Sequence, residues 1–157
     1  MKLYTAEGEH DSVLVYARRA LNADPTNVRY WTNMGLSSYQ VGRYGEAIPY
    51  LEEALRRDPE RWTARYDLGL CYLQTERYAN AAENIAIAAR DGGQRPDVLH
   101  SLGIALFRSG KTDSALVVWR NVLARWPEYA IQLRARPGTA AGARGVIDET
   151  PVPRGSR

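Results

Sequence analysis

The stretch YWTNMGLSSYQVGRYGEAIPYLEEALRRDP, residues 30–59, decides how this chain folds. It is typical of a helical segment, yet it holds Gly35 inside the first part and ends in Asp58-Pro59. A glycine within a helix costs about 0.5–1 kcal/mol relative to alanine. A helix that keeps one therefore needs a compensating contact, and the test is whether the same pattern returns elsewhere in the chain.

The pattern returns every 34 residues. The small residues of the stretch recur twice at this spacing, as Gly35, Gly69 and Gly103 and as Ala47, Ala81 and Ala115. A fixed period of this length is typical of stacked supersecondary units. Each unit is predicted to be a pair of helices. First helices are expected over 28–41, 62–75 and 96–109, and second helices over 45–57, 79–90 and 113–125.

The recurring glycines indicate where the two helices of a pair meet. Gly35 shares a helix face with Trp31 and Met34, so a missing side chain there would let the partner helix come close. The recurring alanines, Ala47 in the first unit, are expected to supply small residues from the other side. A larger residue in the glycine slot should overpack the contact by about 1–3 kcal/mol.

This pattern resembles the tetratricopeptide repeat, which has the form W-x2-L-G-x2-Y, then A-x3-F, then an alanine and a closing proline. Three units carry the resemblance: Trp31, Met34, Gly35, Ala47, Leu51, Ala54 and Pro59; Leu68, Gly69, Tyr72, Ala81, Ile85 and Ala88; and Leu99, Leu102, Gly103, Leu106, Ala115, Trp119, Val122 and Pro127. Three slots depart from it, with Ser38 for tyrosine, Arg65 for tryptophan and Gly93 for proline. The resemblance covers residues 1 to about 133.

The resemblance implies an all-α, right-handed superhelical solenoid of antiparallel helix pairs, with about three and a half repeats. Its predicted parts are a partial repeat over 1–27, full repeats over 28–61, 62–95 and 96–129, a short capping helix over 130–136, and a tail over 137–157. The tail is rich in Gly, Pro and Arg and without periodicity, so we expect it to be disordered unless bound.

Composition excludes several classes of protein. The 157 residues suit one globular domain, and the single cysteine, Cys71, allows no intrachain disulfide. No run of 18 apolar residues is present, so we expect no membrane span, and the N-terminus does not resemble a secretory signal. A cytoplasmic location is the expectation. The net charge of +3 equals the excess of arginine beyond residue 133, which leaves residues 1–133 neutral and disfavours nucleic acid as a partner.

Residues with catalytic or metal-binding chemistry do not form a convincing site. Asp97, His100 and Ser101 are the residue types of a hydrolase triad, but neighbours on a helix point about 100° apart, so Ser101 and His100 cannot easily share a hydrogen bond. His10 and His100 lack partners at ligand spacing. We therefore expect no enzyme activity, no metal and no cofactor.

Two further features have ordinary interpretations. Glu52 and Glu53 precede Arg56 and Arg57 by four residues, which predicts ion pairs on a helix surface rather than paired catalytic carboxylates. Cys71 lies among apolar residues of a first helix, so it is expected to be a packing residue and not a reactive thiol.

In tetratricopeptide arrays the first helices line a concave groove, and the resemblance implies the same here. The residues that would line it are Arg29, Asn33, Leu36, Tyr39 and Gln40 in the first full repeat, Tyr66, Asp67, Leu70 and Gln74 in the second, and His100, Ser101, Ile104, Phe107 and Arg108 in the third. Apolar and hydrogen-bonding side chains alternate among them, as peptide recognition requires. The alternative is that Leu36, Leu70 and Ile104 only pack between neighbouring repeats.

The groove differs from that of co-chaperones in the family that hold a C-terminal carboxylate with lysine, asparagine and arginine. Asn33 fills the asparagine slot, but Thr63 and Asp67 stand where the basic residues would be. Because Asp67 would repel a carboxylate, we expect internal segments or a folded surface as partners.

The N-terminal repeat is predicted to lack most of its first helix, which would end near Glu7, while its second helix spans about 11–23. An apolar face without its usual partner predicts an interface. The residues of this interface would be Val13, Tyr16, Ala17 and Leu21. Its simplest form is a homodimer through the N-terminal helix. The sequence thus predicts a non-enzymatic scaffold that binds another protein or peptide, the alternative being a regulatory or targeting domain or subunit of a larger enzyme or membrane complex.

Overall fold

The chain is all-helical in the residues that the computed structural model describes, 4–92 and 94–129, and no strand occurs there. The helices are α1 (Tyr4–Ala23), α2 (Val28–Gln40), α3 (Tyr44–Arg57), α4 (Trp62–Gln74), α5 (Tyr78–Asp91), α6 (Pro96–Arg108) and α7 (Thr112–Arg125). The all-α prediction is confirmed. The capping helix and the tail predicted beyond residue 129 lie outside the described residues.

Each helix packs on the next one along the chain, and α4 also contacts both α2 and α6. The first helices therefore lie side by side, with the second helices of the pairs, α3, α5 and α7, packed against them. For the six helices from α2 to α7, the predicted bounds agree with the observed ones to within one residue.

The turn inside each helix pair requires a left-handed residue. Gly42, Glu76 and Gly110 occupy the same position of the three repeats and have φ values of 80°, 61° and 86°. Glycine adopts this conformation without strain, whereas a side chain such as that of Glu76 disfavours it. The backbone N–H groups that follow close the turn, for example Arg43 N–H to the Ser38 carbonyl oxygen at 2.8 Å.

The recurring glycines let the helices of a pair approach, as predicted, but the residue they accommodate is a large one. A Cβ atom at Gly35 would lie 2.5 Å from Leu51 Cγ, closer than side chains pack in proteins. Ile85 occupies the same place against Gly69, and Trp119 against Gly103. The recurring alanines are fully buried one helical turn before these large residues. The Ala47 carbonyl oxygen also borders the contact, 3.4 Å from a Cβ atom at Gly35.

The N-terminal helix differs from the prediction of two segments. Residues 4–23 form one continuous helix, α1, rather than a partial first helix followed by a second. A single glycine, Gly8, costs only about 1 kcal/mol in a helix, and the segment has no proline to break it. Leu14 and Leu21 of α1 are buried with Met34 of α2. Trp31 fixes the connection by donating its indole N–H to the Pro25 carbonyl oxygen at 2.8 Å.

The two adjacent glutamates of α3, Glu52 and Glu53, have different hydrogen-bond partners. Glu53 accepts hydrogen bonds from Arg56 and Arg57 at 2.6–2.8 Å, and these lower its pKa to about 2. Glu52 instead accepts the Tyr72 hydroxyl of α4 at 2.9 Å. The predicted Glu52–Arg56 pair is therefore wrong, because Arg56 pairs with Glu53 and Glu52 faces α4 of the next repeat.

Candidate functional site

The side of α2, α4 and α6 that bears the predicted groove residues is called the groove face here. Residues one repeat apart form rows across the three helices. The rows are Asn33, Asp67 and Ser101; Leu36, Leu70 and Ile104; and Gln40, Gln74 and Arg108, with Arg29, Tyr39, Tyr66 and Phe107 beside them. A surface built from three helices holds its side chains at fixed spacing, as recognition of an extended ligand requires.

Apolar side chains on the groove face are partly open to solvent. Leu36 and Phe107 are 36% and 37% exposed, while Leu70 and Ile104 are half-buried. The interpretation of this row as packing alone therefore fits Leu70 and Ile104 better than Leu36. The Phe107 ring packs against Trp119, with ring centroids 6.0 Å apart. A partner could cover the exposed parts of Leu36 and Phe107 and gain apolar burial.

Polar side chains on the groove face make contacts between repeats. The Tyr66 hydroxyl lies 3.0 Å from Ser101 Oγ, and Ser101 donates its own proton to the Asp97 carbonyl oxygen at 3.0 Å. Tyr66 is therefore the donor of the first bond. Tyr39 packs on Tyr44 at 5.2 Å, with Gln74 beside its hydroxyl. Burial raises the pKa of both Tyr39 and Tyr66, so both hydroxyls stay protonated donors.

Asp67 is the acidic residue at the centre of the groove face. It is half-buried on α4, and burial raises the pKa of its carboxyl to about 6. No residue in the described part of the chain forms a hydrogen bond or ion pair with this carboxyl group. Its titratable neighbours are Tyr66 and Cys71. Burial raises the pKa of the Cys71 thiol to about 12, so Cys71 is a packing residue, as predicted.

His100 does not belong to the groove face, and its prediction as a groove residue is wrong. The side chain is 8% exposed and lies between Trp119 and Tyr129, at centroid distances of 6.4 and 6.0 Å. These aromatic rings follow α6 in sequence and cover it on the side of α7. Desolvation in this cluster lowers the pKa of His100.

The triad-like residues of α6 engage different neighbours. Ser101 contacts Tyr66 and the Asp97 backbone, whereas the His100 ring lies in the aromatic cluster. The Asp97 carboxylate pairs with Arg95 at 3.1 Å. A nucleophile needs its base within hydrogen-bond reach, and this arrangement does not provide it.

The predicted N-terminal interface is divided between core and surface. Leu21 is 8% exposed in the core with Leu14, and Ala17 packs beside them, so the assignment of Leu21 to an exposed interface is wrong. Val13 and Tyr16 are 44% and 69% exposed, and Val15, which the prediction omitted, is 49% exposed. Helical spacing explains the division, since Leu14, Ala17 and Leu21 share the face toward α2.

Sequence reasoning did not single out Thr32. It lies one repeat before Tyr66 and so occupies the position equivalent to it. Aligning the repeats at 34 residues pairs Thr32 with Tyr66, so this equivalence could have been found from the sequence. Within residues 4–92 and 94–129, no three His, Cys, Asp or Glu side chains are grouped to hold a metal ion. None of the helices in these ranges combines the length and apolar character of a membrane span.

Comparison with known proteins agrees with the repeat pattern. Residues 32–96 match the family model described as tetratricopeptide repeat. Among solved structures, one entitled crystal structure of MamA is 22% identical, with a TM-score of 0.72 over 78% of this chain and 71% of that one. MamA 41-end from Desulfovibrio magneticus RS-1 is 20% identical, with a TM-score of 0.69 over 76% of this chain and 67% of that one.

A third solved structure, MamA AMB-1, is 24% identical, with a TM-score of 0.66 over 76% of this chain. This chain spans 65% of the length of that one. No curated protein sequence matches. At these identities the likenesses establish the fold, an array of helical repeats.

Proposed function

We propose that this chain, whose helix pairs are tetratricopeptide repeats, is a non-enzymatic scaffold that binds a partner polypeptide through its groove face and N-terminal edge. The observation that carries the proposal is the mixed character of the groove face. Leu36 and Phe107 are exposed apolar groups, and the exposed Asn33, Gln40 and Gln74 supply hydrogen-bonding groups beside them. Polypeptide recognition combines apolar burial with hydrogen bonds placed at fixed points.

The electrostatics of the groove face favour internal segments or a folded surface over a free C-terminus. Asp67 lies in the same row as Asn33 and would meet an incoming carboxylate at close range. Like charges at short distance cost several kcal/mol where water is excluded, by a rough Coulomb estimate. The partner therefore presents backbone amides and side chains to this face.

The N-terminal edge, defined as Val13 and Tyr16, which lie on one side of α1, is the second surface of the proposal. These side chains project from α1 away from the Leu14 and Leu21 core. Clustered exposed apolar residues mark interaction sites. A second copy of the chain would cover them in the simplest arrangement. Another part of a larger enzyme or membrane complex, for which this chain would be a regulatory or targeting domain or subunit, is the alternative occupant.

Affinity capture from a lysate of the source organism, read by mass spectrometry, tests the groove. The test variant replaces Leu36 and Phe107 by lysine. The matched control replaces Val117 and Leu123 of α7, which are 56% and 41% exposed and lie off the groove face. Both variants add two positive charges at exposed apolar positions, and circular dichroism checks that both remain helical.

The proposal predicts that the Leu36 and Phe107 variant loses a set of proteins that the wild-type chain and the control capture. Equal capture by both variants would contradict binding through the groove. Loss of capture in the α7 control alone would assign binding to the second helices instead.

A further inference from the structure

The position of Asp67 is unusual for a carboxylate. It lies on α4, the middle one of the three first helices, between Asn33 and Ser101 in its row. It is half-buried, and no hydrogen bond or ion pair reaches it from the part of the chain that the structure describes. Such a group destabilises the folded chain unless something outside the chain compensates it.

The neighbouring repeat shows what is missing. Ser101 accepts a hydrogen bond from Tyr66, which lies one helix earlier across the groove face. One repeat earlier, the residue equivalent to Tyr66 is Thr32, and the residue equivalent to Ser101 is Asp67. Thr32 is too short to act as Tyr66 does, and its hydroxyl donates to the Val28 carbonyl oxygen at 3.2 Å. Compared with the Tyr66–Ser101 pair, the Thr32–Asp67 pair thus has a charged acceptor, Asp67, and no hydroxyl that donates to it.

Catalysis and metal binding do not account for this carboxylate. Its titratable neighbours, Tyr66 and Cys71, both have raised pKa values and stay neutral near pH 7, so they form no acid–base pair with it. A divalent cation needs several oxygen ligands, and no group of suitable side chains occurs in the described residues. A monovalent organic cation remains the occupant that matches the charge.

A basic side chain fits the surroundings as well as the charge. Lysine and arginine make charge-assisted hydrogen bonds to carboxylates, which are about twice as strong as neutral ones. Their methylene stems pack along apolar surface while the charged end reaches a polar group. Leu36 and Leu70, in the adjacent row of the groove face, offer that apolar surface.

We infer that Asp67 is the specificity-determining residue of the groove and binds a lysine or arginine side chain of an internal, extended segment of the partner. The inference rests on the proposed function, because it names what the groove selects. One basic side chain is selected near the middle of the segment, since the other members of the row, Asn33 and Ser101, are uncharged. A cation at this site would stabilise the ionised carboxylate, so binding should weaken below about pH 6, where free Asp67 becomes protonated.

Selection from a display library of random dodecapeptides tests the inference. Four versions of the full chain are used: wild type, Asp67→Asn, Asp67→Lys, and Glu83→Gln as a control on the exposed surface of α5. Wild type and the control should enrich lysine or arginine at one position of the selected peptides. Asp67→Asn should lose this enrichment, and Asp67→Lys should enrich aspartate or glutamate there instead.

Calorimetry with a selected, end-blocked peptide gives the magnitude. Asp67→Asn should weaken binding about 10- to 100-fold, the size of a hydrogen bond to a charged group. At pH 5 the wild-type affinity should approach that of Asp67→Asn. A synthetic peptide of residues 130–157, which holds five arginines, is tested in parallel. Binding of that peptide alone would assign the site to the chain's own C-terminal segment and overturn the inference of a separate partner.

The outcomes separate this inference from the proposed function. Peptides enriched without a basic position, or equally well by Asp67→Asn, would overturn the role of Asp67 while the groove remained a binding site. No enrichment by wild type would also overturn the inference. The capture comparison of the Leu36 and Phe107 variant would then decide the proposed function on its own.

Discussion

At the scale of single residues, three glycines set the distance between the helices of each pair. Leu51, Ile85 and Trp119 fill the space that a Cβ atom at these glycines would occupy. The glycine and the large residue that packs against it therefore set the distance between the two helices together. The loss of helix propensity at the glycine, about 1 kcal/mol, is offset by close packing of a fully buried side chain worth about 1.5–3 kcal/mol.

Replacing Gly69 by alanine should destabilise the chain. A Cβ atom there would clash with Ile85, and overpacking of about 1–3 kcal/mol outweighs the gain of about 1 kcal/mol in helix propensity. Gly45→Ala is the matched control, since a Cβ atom at Gly45 of α3 meets nothing within 4 Å. Urea unfolding should show a lower midpoint for Gly69→Ala and an unchanged or higher one for Gly45→Ala. Equal midpoints in the two variants would show that the glycine is not needed for packing.

Asp67 should make stability depend on pH. Its folded pKa of about 6 lies above the ordinary 3.8, so between these values the folded chain holds a proton that the unfolded chain has released. The contribution of Asp67 to stability therefore falls as pH rises from about 4 to about 6 and stays lower above that range. Asp67→Asn lacks this titration and should have the higher melting temperature at pH 7.5.

Calorimetric melting at pH 7.5, 6 and 4 checks the Asp67 prediction. The difference in melting temperature between Asp67→Asn and the wild type should shrink toward pH 4. A difference that stays constant with pH would contradict burial of an ionised carboxylate at this position.

At the scale of elements, the turn inside the second full repeat carries a strained residue. Glu76 has a left-handed φ of 61°, where the equivalent residues are Gly42 and Gly110. Glu76→Gly should stabilise the chain by about 0.5–1 kcal/mol, because relief of the strain exceeds the extra entropy of an unfolded glycine. Gly42→Ala should have the opposite sign. Urea unfolding measures both, and a destabilised Glu76→Gly would show that the Glu76 side chain holds the turn.

Helix α1 has apolar side chains on two sides, and only one side is packed on α2. Replacing Val13 and Tyr16 by glutamate should convert a dimer to a monomer if a second copy covers the N-terminal edge. Arg18→Glu is the control, since it makes the same net charge change and lies about 160° around the helix from Tyr16. Leu21→Glu is unsuitable, because Leu21 is in the core.

Light scattering during size-exclusion chromatography measures the mass of each α1 variant. The wild type and Arg18→Glu should have twice the chain mass, and the Val13 and Tyr16 variant the mass of one chain. A wild-type monomer would refute dimerisation through this edge, as would an unchanged dimer in the double variant.

At the scale of the whole molecule, the 34-residue period was sufficient to predict the six helices of the three full repeats, α2 to α7, because each repeat folds by the same local contacts. Properties that depend on contacts between distant residues were not predictable in this way. His100 is buried by Trp119 and Tyr129, which a periodic alignment does not bring together. Leu21 is buried because the side of α1 that faces α2 carries Leu14, Ala17 and Leu21. The sequence alone did not show which apolar residues of α1 would face α2.

The groove was only partly predictable for the same reason. Its rows follow from the period, so the sequence predicted that Asn33, Leu36 and Gln74 lie on first helices, and their role in binding stays a prediction. The isolation of Asp67 depends on the length and hydrogen bonding of Thr32 in the neighbouring helix. That Asp67 lacks a hydrogen-bond donor among the described residues can be recognised only once the positions of α2 and α4 relative to each other are known.

The central claim is that the first helices form the binding surface of the array. Hydrogen–deuterium exchange of the chain, alone and in complex with its captured partner, tests this most directly. We expect slower exchange in α2, α4 and α6 of the complex and little change in α3, α5 and α7. Protection confined to the second helices, with exchange of α2, α4 and α6 unchanged, would contradict the account.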